Sequence, residues 1–183
     1  MRRALLVASV LVMLGARAAG AEAPADPNQP PPSQPPPQQS PPSQPPSSNS
    51  GQVSQGQFVP TKNSGLRIRG SAKLIRTQRG NTKLSVHAGG LPPAKVYPTR
   101  LHSGTCAEAG PDYKNDASGP AEPPNALWAS SDPSDPKGGL QSSESGNAKG
   151  YGVAPWTARP EARSVVIHSP DAGNPALACA DLQ

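Results

Sequence analysis

Residues 65–91, GLRIRGSAKLIRTQRGNTKLSVHAGGL, alternate apolar and polar side chains between turn residues, a pattern that an α-helix cannot use. Leu66 and Ile68 alternate with Arg67 and Arg69. Ala72, Leu74 and Ile75 lead into a turn at Arg79–Gly80–Asn81, and Leu84 and Val86 resume the alternation up to Gly89–Gly90. The period of two predicts antiparallel strands with one face packed and one face wet. Further strands are expected over about 95–102, in RSVVIH (163–168) and in ALACADL (176–182). No stretch of convincing length carries a helical period. The chain is also poor in aromatics and rich in glycine and proline, so the expected class is an all-β sandwich or barrel with long loops.

Three segments follow from where this pattern starts. Residues 1–21, MRRALLVASVLVMLGARAAGA, place two arginines before an apolar run and small residues after it, which predicts a secretory signal peptide rather than a membrane span. No cysteine follows the run, so no lipid-acylation site is expected. Residues 22–56 are rich in Pro, Gln and Ser and offer almost nothing to bury, which predicts a disordered tether of extended character. Residues 57–183 are then one domain, expected to be exported to a periplasmic, envelope-associated or secreted location.

The formal charge of +5 falls to 5 − 3 = +2 once Arg2, Arg3 and Arg17 leave with the signal peptide, so a nucleic-acid partner is not expected. The remaining charge is unevenly placed. Residues 57–107 hold nine Lys or Arg and no acid, whereas 108–183 hold five basic and ten acidic residues. The basic strands could face an anionic cell-envelope polymer or guide a small anion; alternatively they are a solvated face paired with the acidic half.

The segment 107–149 contains GPDYKND, GPAEPPNALW and SSDPSDPKGGL, all turn chemistry, and is expected to be one long loop of functional weight. Two cysteines, Cys106 at its start and Cys179 in the last strand, favour one disulfide over two free thiols in an exported chain. Their spacing is not that of a thiol-exchange motif, and no phosphate-binding glycine loop or ordered Ser/His/Asp set is present.

The stretch VYPTRLHSGTC, residues 96–106, puts Arg100 and His102 on one face of a strand. Together with AGGLPPAKVYPTRLHSGTC, RSVVIH and ALACADL in that order, it resembles the copper/zinc superoxide dismutase family. The resemblance spans most of 65–182. It implies a Greek-key β-barrel with two long loops, a disulfide between Cys106 and Cys179, and a copper site linked by a shared imidazole to zinc. His102 matches the second histidine of that family's His-x-His strand, and His168 matches the histidine of the later strand. The other positions depart from the family. Arg100 replaces the first copper histidine, and Asp112 replaces the bridging one. Asn115 replaces a further histidine, and Ala176 stands where an arginine guides superoxide. His87 matches no ligand position and is read as a strand-face residue.

Three histidines cannot furnish the complete two-metal site. Zinc is not expected, because no histidine lies between Ser103 and Ile167. Copper remains conceivable on His102, His168 and Asp112, since Cu(II) accepts mixed nitrogen and oxygen ligands. Arg100 opposes it with a fixed positive charge and is expected to pair with Asp112. The expectation is therefore a dismutase-like domain that has lost catalysis and serves as a binding or structural module. The alternative is an active copper-dependent dismutase with a reduced ligand set.

Overall fold

The alternation at 69–89 folds into a hairpin of β3 (Arg69–Arg76) and β4 (Thr82–Gly89), paired from Arg69 opposite Gly89 to Arg76 opposite Thr82. Thr77 N–H donates to Asn81 C=O at 2.9 Å across its turn, where Gly80 takes a φ of +81°. The computed structural model describes residues 51–183, so the expected signal peptide and the tether up to residue 50 lie outside the described residues.

Two four-stranded antiparallel sheets form around this hairpin. In the first, the order is β1-β3-β4-β8, with β1 at Gln52–Gln57 and β8 at Ala148–Ala154. In the second, the order is β2-β10-β9-β6, with β2 at Val59–Pro60, β6 at Thr99–Ser103, β9 at Ala162–His168 and β10 at Ala176–Asp181. A small pair, β5 (Val96–Tyr97) and β7 (Leu140–Gln141), closes one end. The described residues contain no helix, and none long and apolar enough to cross a membrane. This is the all-β Greek-key architecture that the sequence predicts.

The core lies between the sheets. Ala72, Leu74, Leu84 and Val86 face Leu101, Val165, Ile167 and Ala178, and Tyr97 and Tyr113 fill the ends. The inward parity of β3 also carries Arg76, which is 9% exposed. Its guanidinium donates to the carbonyls of Ala158 at 2.8 Å and Ala162 at 3.1 Å, so a charge that alternation places indoors is met by loop carbonyls. Along one seam, Gln55 and Gln183 exchange backbone hydrogen bonds of 2.9 and 3.1 Å, joining β1 of one sheet to the residues after β10 of the other.

Three boundaries differ from the sequence expectation. The tether does not run to residue 56, because Gln52–Gln57 is an edge strand along β3. Residues 66–68 precede the strand rather than open it, although Ile68 is buried. The segment 107–149 is not structureless. It contains β7, yields the first residues of β8, and is stitched to the strands by bridges from Trp128 to Arg100 and from Ser130 to Tyr151.

Candidate metal centre

Strand β6 sets the geometry of the site. On one side it pairs with β9, Arg100 opposite Val166 and His102 opposite Ser164. On its other side runs the loop segment 111–113: Ser103 N–H donates to Pro111 C=O at 2.9 Å and Tyr113 N–H to Leu101 C=O at 2.8 Å. That register puts Asp112 across from His102. His168 ends β9, its N–H held by Pro98 C=O at 2.8 Å.

Asp112, His102 and His168 converge, each offering one ligand atom within 4.8 Å of the others. His102 Nδ1 donates to Gly110 C=O at 2.7 Å, and His168 Nδ1 donates to Asn174 C=O at 2.8 Å. A carbonyl only accepts, so both Nδ1 atoms carry hydrogen, and both Nε2 atoms turn toward one point. They lie 3.2 Å apart, and His102 Nε2 lies 3.1 Å from Asp112 Oδ1. Two bare lone pairs at that distance repel, so the spacing calls for something shared between the two rings, and a hydrogen on one Nε2 with Asp112 Oδ1 as a further acceptor satisfies it. A metal ion would also fit the spacing, since two nitrogens each about 2.0 Å from a tetrahedral ion lie about 3.3 Å apart.

The fourth member of the group bears on both. Arg100 Nη1 donates to Asp112 Oδ2 at 3.0 Å, and its guanidinium carbon lies 4.5 Å from the centre of the Trp128 ring. Half of the carboxylate is thus already engaged by a permanent cation. At an effective dielectric of about 20, a unit charge about 5 Å away costs an ion roughly 3 kcal/mol per charge it carries. The pairing is not free of cost to the protein either. Arg100 Nε and Trp128 Nε1 are both buried N–H donors without a protein acceptor.

Titration follows the same charges. Burial alone would push Asp112 up, but the His102 hydrogen bond and the charges of His102, Arg100 and His168 together hold its carboxyl below the usual range. Burial pushes His168 down; its hydrogen bond to Asn174 opposes this, and the neighbouring positive groups add to it. The carboxylate is therefore ionised, and His168 is held toward its neutral form.

The remaining positions named from sequence stand apart. Asn115 is held through its backbone, N–H to Asn125 C=O at 2.8 Å and C=O to Arg159 at 2.6 Å, and its side chain makes no hydrogen bond with the cluster. Ala176 opens β10 opposite His168 and leaves a cleft of about 260 Å³ beside both histidines, walled by Val166, Ala109 and the disulfide. That disulfide, Cys106–Cys179 with Cα atoms 5.8 Å apart, joins the loop carrying Gly110 to β10. His87 lies exposed on the outer face of β4, away from the cluster. Trp128 and the carbonyls of Gly110 and Asn174 had no sequence signal. Trp128 stands in a turn-rich stretch, and a backbone carbonyl is invisible to residue type.

No protein-family model matches the chain, and no curated protein matches it in sequence. Solved structures do resemble it. A mutant of Candida albicans superoxide dismutase 5 aligns over 73% of this chain and 88% of its own at 19% identity, with a TM-score of 0.51. A second mutant of that protein aligns over 72% and 90% at 19% identity, with a TM-score of 0.49. The first likeness shows that the chain has the superoxide dismutase-like fold.

Proposed function

We propose that this chain is an exported domain of superoxide dismutase-like fold whose metal position is occupied by its own charges, and that it acts as a binding or structural module. The observation that carries the reading is the Arg100–Asp112 ion pair at 3.0 Å, with Arg100 stacked on Trp128 where a copper-binding strand of that family would present its first imidazole. The guanidinium takes one carboxylate oxygen, and His102 Nε2 lies 3.1 Å from the other. The three remaining donors match an ion in spacing, but not in charge. Export is supported by the disulfide, which persists in oxidising compartments, and by the leader-like residues 1–21.

A second reading rests on the 3.2 Å approach of the two Nε2 atoms. His102, His168 and Asp112 would hold copper, which would supply one-electron chemistry for superoxide dismutation, with the cleft beside Ala176 as the approach. Purified protein exposed to Cu(II), then measured for bound metal and for superoxide dismutation above free copper, separates the two. We expect substoichiometric copper and no added dismutation, while the R100H/D112H/N115H variant retains copper. Stoichiometric copper with dismutation in the unaltered protein would replace the first reading with the second.

A further inference from the structure

We propose that the outward face of the β1-β3-β4-β8 sheet is a docking surface for a linear acidic polysaccharide. The inference goes beyond the metal-centre reading and stands whether or not that position is closed, because the cluster of His102 and His168 belongs to the other sheet.

The register lays the outward side chains in three cross-strand rows. One row runs Val53, Ile75, Lys83, Val153; the next runs Gln55, Lys73, Ser85, Tyr151; the third runs Gln57, Ser71, His87, Lys149. Arg69 continues the face beyond the third row, opposite Gly89. None of the four strands contains an aspartate or glutamate. The acidic residues of the domain stand in its loops and, as Asp181, in β10. The intramolecular pairing that could have neutralised the basic strands is not made. Among the described residues the ion pairs join Arg100, His102, Lys137 and Arg159 to acids, and no outward cation of this sheet takes part. Lys73, Lys83, Lys149 and Arg69 are exposed. Unneutralised charge on an open face is a standing attraction for a polyanion.

The rest of the face narrows the class. Strands about 4.8 Å apart and alternate residues about 6.8 Å apart put the Lys73 and Lys83 backbones about 8 Å from each other. Such sparse charge suits a polymer with one carboxylate per sugar or per disaccharide better than duplex DNA, which carries a charge every 1.7 Å or so along its axis. Tyr151 is 52% exposed in the central row and offers a flat ring for a sugar to lie on. Ser85 lies directly opposite it and His87 diagonally, and Ser71, Gln55 and Gln57 continue across the sheet, all hydrogen-bonding groups suited to hydroxyls. An extended glycan can lie across all of these at once.

The test titrates the full chain with polygalacturonate, neutral dextran, duplex DNA and phosphatidylglycerol vesicles, at low and high salt. Polygalacturonate is expected to bind, with affinity falling as salt rises, and dextran is expected not to. The K73E/K83E/K149E variant should lose at least about tenfold in affinity. The charge-matched K62E/K95E/R163E control, off this sheet and likewise outside the ion pairs, should lose much less. Tyr151→Ala should weaken polygalacturonate but leave any residual DNA binding unchanged. These substitutions are exposed, and an unchanged unfolding midpoint shows that the fold is intact. No polygalacturonate binding would overturn the proposal. So would equal loss in the control, tighter binding to DNA or vesicles, or indifference to Tyr151→Ala. The copper and dismutation measurements are independent of every one of these outcomes.

Discussion

Replacing Arg100 by methionine removes a cation from beside the two histidines and releases Asp112 Oδ2 from its 3.0 Å partner. The variant loses one charged hydrogen bond but also removes a buried Nε–H that has no acceptor. The carboxylate left with one partner fewer outweighs that gain, so the variant should lose roughly 2 kcal/mol, less than for a fully buried pair because both side chains keep some exposure. Metal affinity should rise. Lifting even half of the repulsion calculated above corresponds to at least a tenfold tighter Cu(II) affinity, read by competition titration. Unaltered affinity in Arg100→Met would mean that the guanidinium does not guard the position. Much of this neighbourhood was legible in the residues themselves. Arg100, His102, Asp112 and His168 were all named from motif positions, and the Arg100–Asp112 pair follows from opposite charges at two positions where the resemblance expects histidine. What composition could not supply was the convergence of the Nε2 atoms, because backbone carbonyls at Gly110 and Asn174 fix both rings.

Among elements, the strands that bury large side chains at every second position were readable, and those that bury glycine were not. β3, β4 and β9 announce themselves through Leu74, Leu84, Val86, Val165 and Ile167. β8 reads as AKGYGVA and was missed because Gly150 and Gly152 occupy its inner positions. A Cβ at Gly150 would lie 2.2 Å from a Leu140 methyl, and one at Gly152 would lie 2.2 Å from the Trp128 carbonyl. The loop 127–140 packs so closely there that only glycine fits, which erases the hydrophobic alternation. β1 was hidden likewise, since its inward positions are Ser54 and Gly56, and a Cβ at Gly56 would meet the Asp181 carbonyl at 1.8 Å. The disulfide belongs to this scale, because it fastens one loop to one strand across a separation of 73 residues. Replacing both cysteines by serine should lower unfolding free energy by roughly 4 kcal/mol on the chain-entropy model. Denaturant unfolding of the C106S/C179S variant checks this, and a loss below about 1 kcal/mol would show that the loop is held without the bridge.

Across the whole domain, the two sheets divide the work by charge. The sheet carrying β6 and β9 presents the histidine cluster, where an arginine and a carboxylate neutralise each other. The other presents an acid-free outer face. That face has β1 as one of its borders, with Val53 46% exposed on it. β1 pairs with β3 along six residues and with Gln183 across the seam, so it covers polar backbone that would otherwise face solvent. A protein trimmed to begin at residue 58 would therefore carry a bare β3 rim eight residues long, with Ile75 on it. Such a rim recruits a second copy edge to edge. Sedimentation should show trimmed protein associating at concentrations where protein retaining residues 51–57 stays monomeric. A modest proline-rich lead-in thus ends in a capping segment, and the shielding of the β3 edge falls to six mostly polar residues that bury almost nothing.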